Sequence, residues 1–539
     1  MHRVFQIQEL CCLIFSMLEK NHLAVLARTC SMFHEPAIQI IWRDLCDILP
    51  IFYVLYPGPE APTFGKKRGR QELITQEIVD RLVHYARHVR SLDYQPTLCR
   101  PSKHIRDRYD LYTLQNSKRI PSPLFPNLRK ATLPTFPAIA EFYASLVLAP
   151  SVQSINLYAG GLAIPVPDWG AISHILQGRV GSLVSFTAQP NDSFNGTRCT
   201  AVPSDPSLDR LLDQLSSSLH SLDVTSVKLD IEPIISLSQL PNLSHLRMSI
   251  LRSQSYAFDP WAGSTSLAFS ALSEAVFMTD SLEILDGFLS QLRAPGLRSL
   301  DIQCTRSNDT RSLDTLISTI ARMNPSQLEQ LSIQDMGDIR TLPIDELDIY
   351  QKIQFSLTAD SLKQLTAFRR MSSLRISPCS TSRLQDLDLH RLLSAWPDLK
   401  TFCLPDETLR EAPAVSLDGV QRAVQLCPSL EVLALRFGDA AGASVGQPYS
   451  DGLPRLSLKE WNVGTSAIRS GREFGEWVKT RYPKLERLRY FEGFRKAVDQ
   501  ARCYGDDLDA YVGRSERLSS AVGMLERWKV VKDGLGLVA

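Results

Sequence analysis

The chain has 539 residues, 44% of them hydrophobic and 22% charged, with a formal net charge of +1. That balance belongs to folded chains rather than disordered ones. It excludes the broad positive field on which nucleic-acid and anionic-membrane binding rely. No apolar run reaches the ~18 residues of a membrane span, so neither nucleic acid nor membrane is expected as a partner. A single core does not grow to this length; the chain is either several domains or a repeat array whose units touch only their neighbours. The eleven cysteines lack paired spacing, which suits reduced thiols in cytoplasm or nucleus. Gln6, Gln8, Glu9 and Glu19 interrupt the Leu- and Cys-rich start and no small-residue cleavage site follows, so no secretory signal is expected. The N-x-S/T sequons at Asn191, Asn195, Asn242 and Asn308 then carry little weight.

Leu10, Leu13, Ile14, Met17 and Leu18 fall at i, i+3, i+4, i+7 and i+8, one apolar stripe at helical period. Asn21 is a candidate N-cap for a second helix carrying Leu23, Leu26, Ala27 and Cys30 on one side. A third segment, PAIQIIWRDL, aligns Ala37, Ile38, Ile41, Trp42 and Leu45, with Pro36 near its first turn. Three helices of this length make a weak independent core and tend to seek a partner or a neighbouring domain. On periodicity alone they serve equally as the N-terminal cap of a larger array.

The order of residues adds to this. Ile7, Glu9-Leu10, Leu13-Ile14-Phe15-Ser16-x-Leu18, Leu23-x-x-Leu26-Ala27-x-Thr29-Cys30, Phe33 and Trp42-Arg43-x-Leu45 together resemble the F-box family. The likeness covers under a tenth of the chain, and it departs from the family at Gln8, where a proline is usual. The resemblance implies docking onto the Skp-family adaptor of a cullin-based ubiquitin ligase. It assigns the adaptor contacts to Ile7, Leu10, Ile14, Leu18, Leu23 and Trp42. Ordinary core packing within the module is the alternative for each of them.

From Tyr56 to Gln71 the chain reads YPGPEAPTFGKKRGRQ, an exposed loop by composition. Its basic cluster at 66–70 is either a nuclear localisation patch or a solvated loop. The Pro-containing stretch from Tyr94 to Pro126 is irregular as well.

Beyond that point a Pro-led phrase, P-x-L-x-x-L-x-φ with φ apolar, recurs from Pro126, Pro150, Pro241, Pro295, Pro397, Pro428 and Pro483, and from Pro325 with one extra residue. Weaker copies without proline start at Val89, Leu219, Leu282, Met371 and Leu458. The spacing predicts a turn and then a short strand whose alternate residues point inward. Stretches before the phrases, such as DTLISTIARMNP and LDGVQRAVQLCP, carry helical periodicity, and proline ends each one. The unit is helix, Pro turn, strand, at leucine-rich-repeat periods. The arrangement resembles the leucine-rich-repeat F-box proteins, fungal chains with helix–CPSL–strand repeats in particular. Segments over 494–512 and 515–531 read as helices closing the end of the array.

The fold class is therefore α/β. A short all-α F-box-like module over 1–45 precedes an irregular linker with a first weak repeat over 46–124. An irregular leucine-rich-repeat solenoid follows over 125–490, with a parallel sheet on its concave face and helices outside. A helical cap over 491–539 completes the chain.

No enzyme constellation stands out. GASVG at 442–446 matches G-x-S-x-G, but a Gly/Ala loop and Gln447-Pro448 flank Ser444 where strand and helix are needed. His34-Glu35 does not extend to H-E-x-x-H because Ile38 follows, and the ten histidines show no clustering at metal-ligand spacing. No catalysis, cofactor or metal is expected. The function that follows is a substrate-recognition subunit of an SCF-type ligase, a monomer within its complex, holding an unknown protein target. Concave positions such as Gln153, Asn156, Arg247, Asp301 and Arg489, and insertions at about 187–206 and 251–280, are the region in which that target would bind. The alternative is a repeat scaffold outside any ligase.

Overall fold

The computed structural model describes residues 7–46, 48, 50–51, 54, 75–93, 120–134, 143–159, 169–176, 182–190, 210–212, 217–229, 231–251, 266–304, 310–323, 327–335, 355–356, 358–377, 379–380, 384–405, 413–438, 457–490 and 516–536. They divide into two compact units at Leu243 and Ser244. The basic cluster at 66–70, Ser444 and the segment 494–512 lie outside the described residues.

The first unit opens with three helices: α1 (Gln8–Phe15), α2 (Lys20–Thr29) and α3 (Ser31–Arg43). Their shared core is Cys11, Phe15, Leu23, Ala27, Ala37 and Ile38, with Phe33 edge-on to Phe15 at 5.5 Å between ring centroids. Two local signals act otherwise than the sequence suggests. Helix α2 starts at Lys20, so Glu19 rather than Asn21 precedes it. Pro36 lies inside α3, because amides of Phe33 and His34 already close a first turn on the Cys30 carbonyl before the proline is reached.

Strand β1 (Asp44–Leu45) follows α3 without a break and starts a parallel sheet. Its neighbour β2 (Ser91–Leu92) lies in the weak phrase that starts at Val89 and comes after helix α4 (Gln76–Ala86), which the sequence pattern leaves unassigned within 46–124. Strands β3 (Lys130–Pro134), β4 (Ser154–Ala159), β5 (Ser185–Pro190) and β6 (Ser221–Lys228) add in chain order, all parallel. Helices α5 (Trp169–Leu176) and α6 (Ile231–Ser238) fall between and after them.

The second unit repeats this pattern. Strands β7 (His245–Ile250), β8 (Glu274–Thr279), β9 (Ser299–Cys304), β10 (Gln330–Asp335), β11 (Ser373–Ser377), β12 (Thr401–Leu404), β13 (Val432–Leu435), β14 (Glu460–Asn462) and β15 (Arg487–Arg489) pair in parallel, each with the next. Between strands run α7 (Leu282–Gln291), α8 (Thr310–Met323), α9 (Ala359–Leu365), α10 (Asp386–Ser394), α11 (Leu417–Gln425) and α12 (Gly471–Arg481). Both units are of leucine-rich-repeat type: one strand and one turn or helix per coil, stacked.

The recurring phrase supplies the core. In each coil its apolar positions are buried, as in Leu128, Ala131 and Leu133, or Leu430, Leu433 and Leu435. The register brings equivalent positions into one row, Leu300, Leu331, Leu374, Phe402, Leu433, Trp461 and Leu488 across the strands of the second unit. The weak copy from Leu282 is the exception. Leu282, Leu285, Phe288 and Leu289 repeat at helical spacing and form the buried side of α7, and the strand of that coil is β8.

One backbone contact recurs from coil to coil within both units. The carbonyl just before a strand accepts two successive amides of the next coil: Arg129 O takes Gln153 and Ser154 N–H at 2.8 and 2.9 Å, and Lys400 O takes Glu431 and Val432 N–H at 2.8 and 3.0 Å. A polar side chain before the phrase's first leucine completes the junction. Ser151 Oγ reaches the carbonyls of Pro126 and Leu128 at 2.9 and 2.8 Å, and Ser457 Oγ those of Pro428 and Leu430 at 2.8 and 3.0 Å. A second kind of junction comes from buried Cys427, just before Pro428, whose thiol donates to carbonyls at the end of the preceding helix, 3.5 Å from Leu393 O and 3.3 Å from Trp396 O.

Helix α13 (Glu516–Leu535) closes the second unit. Trp528 is fully buried, stacked on Tyr490 and edge-on to Phe474, and its Nε1–H donates to Ser466 O at 2.8 Å. Gly471 opens α12 where the backbone of Arg527 comes closest; a Cβ there would collide with the Arg527 carbonyl.

Three outcomes follow. Leu23→Ala should cost about 2–5 kcal/mol by emptying a fully buried site, whereas Met17→Ala, at 85% exposure, should stay within about 0.5 kcal/mol, both read by urea denaturation. Asp386 accepts from Ser416 N–H at 2.7 Å and Ser416 Oγ–H at 2.6 Å, and Ser416 Oγ in turn caps Gly419 N–H at 2.9 Å. Asp386→Ala should therefore cost about 1–3 kcal/mol, the penalty of stranded donors. Burial pushes the Cys427 thiol up to about 12, so at pH 8 it stays protonated and should resist alkylation while exposed Cys46 reacts, as mass spectrometry of the native protein would reveal.

Candidate functional site

The apolar stripe of α1 faces outward. Cys11 and Phe15, one turn apart, form the buried side of the helix. Ile7, Leu10, Leu13, Ile14, Met17 and Leu18 are left 36–85% exposed. A helix whose longer apolar side faces water is the reverse of a surface helix that ends at its own core, and a contiguous apolar patch of this kind marks an interaction surface. Val25 on α2 and Met32 at the start of α3 are exposed too, at 51% and 44%. Gln8 and Glu9 are the polar exposed residues at the helix start.

Four of the six residues that the F-box resemblance assigns to an adaptor contact, Ile7, Leu10, Ile14 and Leu18, lie together on this face. The other two do not. Leu23 is fully buried in the module core, because it lies on the side of α2 turned toward α1 and α3. Trp42 is half-buried, its indole stacked on Tyr85 of α4 at 4.7 Å and 18°, so it ties the helical module to the first repeat. Leu13 and Met17, the most exposed of the stripe, belong to the surface although the resemblance does not assign them.

Beside that stack lies a polar cluster. Glu35 Oε1 is 3.2 Å from His88 Nε2 and 2.9 Å from Arg87 Nη2, and its Oε2 is 3.7 Å from His84 Nε2. Glu35, His84 and His88 are the one group of three ligand-type side chains among the described residues placed to hold a metal ion, all ligand atoms lying within 4.8 Å of one another. Burial lowers the His88 pKa, as do Arg87, His84 and Arg90, while Glu35 opposes the shift. The histidines are thus clustered after all. The signal was the i, i+4 spacing of His84 and His88 in LVHYARH, and the carboxylate arrives from α3, out of reach of any local motif.

The outward strand positions carry polar side chains. Gln153, Arg247 and Arg489 are exposed, whereas Asn156 and Asp301 are half-buried. Asp301 Oδ2 accepts from Gln303 Nε2 at 2.8 Å, and Gln334 Nε2 donates to Ser332 Oγ at 2.8 Å, whereas Asp301 Oδ1 and Asn156 Oδ1 are buried without a hydrogen-bond partner. At the last strands Glu460 holds both Arg487 at 3.1 Å and Arg489 at 2.9 Å. Of the two expected insertions, 191–206 and 252–265 lie outside the described residues, whereas 274–279 is no insertion: it is β8, a strand of the repeat sheet. Among the described residues no helix is long and apolar enough to cross a membrane.

No family model matches the chain, and no curated protein sequence matches it. Among solved structures it is similar to an internalin of Listeria monocytogenes, at 13% identity over 64% of this chain and 85% of that one with a TM-score of 0.31. It is similar to the yeast complex of Rad7 and Elc1, at 17% identity over 64% of this chain and 71% of that one with a TM-score of 0.33. It is also similar to the leucine-rich repeat-containing protein LegL7 of Legionella pneumophila, at 14% identity over 48% of this chain and 84% of that one with a TM-score of 0.26.

Proposed function

We propose that this protein is a substrate-recognition subunit of a cullin-based ubiquitin ligase, its helical module docking a Skp-family adaptor and its repeats holding a protein target. The observation that carries the reading is the exposed apolar surface of α1 and its flanking residues, formed by Leu10, Leu13 and Ile14 on the helix with Ile7 before it and Met17 and Leu18 after it. Each such side chain contributes about 1.5–3 kcal/mol when a partner buries it fully. Those residues lie in the stretch that resembles an F-box, and the Trp42–Tyr85 stack joins that stretch to the repeats. The chain then acts by proximity and not by catalysis: it brings a target near a carrier enzyme's thioester. The polar strand faces, with Gln153, Asn156, Arg247, Asp301 and Arg489, are the surface offered to the target. This role places the protein in the cytoplasm or nucleus.

Gln8 favours a second reading. It occupies the first position of α1 where F-box sequences usually carry proline, and Ile7 before it makes no side-chain cap. A helix start of that kind suits a repeat scaffold whose module grips some other helical partner outside any ligase.

The two readings separate in a binding measurement with a purified Skp-family adaptor. The intact chain should bind at micromolar concentration or tighter. Leu10→Glu/Ile14→Glu should weaken binding more than about tenfold, which is 1.4 kcal/mol, with no loss of helical signal, and Arg247→Glu should leave it unchanged. Equal binding by the intact chain and the double variant, or none by either, would remove the adaptor role and leave the scaffold.

A further inference from the structure

We propose that Glu35, His84 and His88 form a binding site for a divalent transition-metal ion of the zinc class, which clips helix α3 to the C-terminal end of α4. Two imidazoles and one carboxylate are a borderline-soft donor set suited to zinc. The ligand atoms of a tetrahedral zinc ion, with bonds of about 2.0–2.1 Å, lie about 3.3–3.5 Å apart. Glu35 is 3.2 Å from His88 Nε2 and 3.7 Å from His84 Nε2. The first distance runs from Oε1 and the second from Oε2, and one ligand atom from each of the three residues lies within 4.8 Å of the others, so the three side chains draw together to close on an ion.

The sequence sets this up in two steps. His84 lies in the last turn of α4 and His88 four residues on, in the turn that continues it, so both rings reach the same side, 5.6 Å apart between centroids. Glu35 projects from α3 toward them, and the Trp42–Tyr85 stack fixes the two helices beside the site. The end of a helix carries partial negative charge, which favours a cation there. His88 is the most enclosed of the three, its side chain 9% exposed, against 37% for His84 and 35% for Glu35. Three protein ligands leave a fourth position open to water.

Arg87 competes with the ion. Its Nη2–H donates to Glu35 Oε1 at 2.9 Å and its Nε–H to His88 Nε2 at 3.2 Å, so in the ion-free protein the guanidinium occupies the lone pairs the metal would use. Arg87 is 48% exposed and can turn away into solvent. This yields a test with opposite signs, since a purely structural ion-pair cluster would only be weakened by removing Arg87.

The measurement is zinc titration of the chelator-stripped full-length protein against a competing chromogenic chelator, with cobalt as a spectroscopic probe. The intact chain should bind a single equivalent at this site. Glu35→Gln, which keeps shape and fold, and His88→Ala should each weaken binding by at least about 100-fold, the upper range for disturbing even the outer contacts of a metal. Arg87→Ala should bind zinc more tightly than the intact chain. Cobalt should give a tetrahedral nitrogen–oxygen spectrum. Equal zinc affinity in the intact chain and Glu35→Gln, weaker binding in Arg87→Ala, a thiolate charge-transfer band, or no binding at micromolar zinc would each overturn the site.

Discussion

Coil after coil within the two units of this protein hangs on a single carbonyl. The oxygen just ahead of a strand, Arg129 O or Lys400 O for example, takes two successive amides from the following coil. A parallel pair has no hairpin to hold its register, so this forked acceptor fixes where the next strand begins. Once it is set, the apolar positions of the phrase fall into one row and the polar positions into another. The second layer of control is the side chain before the phrase's first leucine. Ser151, Ser182 and Ser457 each reach back to two turn carbonyls of the coil before. Turn carbonyls at the rim of the array thereby find partners within the protein.

Much of this was legible, and for a physical reason. A strand buried on one side must alternate, and a turn that follows a helix favours proline, so L-x-x-L-x-φ after proline is the trace of the coil itself. The copy from Leu282 shows where legibility stops. Its leucines at 282, 285 and 289 satisfy strand and helix templates alike, and the structure resolves the ambiguity as α7. Helix α4 went unread because it lies beside a Pro- and Gly-rich stretch, although Val79, Leu82 and Ala86 do repeat at helical spacing. At the N-terminus, the apolar stripe of α1 identified the helix but not which side would be covered. Two small sets of contacts decide that: Cys11 and Phe15 meet Leu23, Ala27, Ala37 and Ile38, and the longer stripe is left over. For Glu35 no local pattern exists, since its partners lie about fifty residues away on another helix.

The helical module and the first repeat are not independent pieces. Strand β1 begins one residue after α3 ends, Trp42 stacks on Tyr85, and Glu35 reaches Arg87 and His88. The exposed face of α1 is therefore carried on a base held by stacking and charge as well as by chain connectivity. In the proposed receptor role, such a base would hold the docked partner in a set position relative to the first repeat.

The junctions also bear on how such a chain tolerates change in length. Strands begin four residues after the proline at Pro126, Pro150, Pro241, Pro295, Pro397, Pro428 and Pro483 alike. By contrast, sixteen residues separate Thr279 from Pro295 and twenty-four separate Leu404 from Pro428. The coil is thus metrically rigid on one side and elastic on the other. A residue inserted between turn and strand would rotate every inward side chain outward, while segments added after a strand can grow without disturbing the row. Evolutionary drift, fused tags and grafted loops should all collect on that elastic side, and the forked carbonyl marks where they must stop.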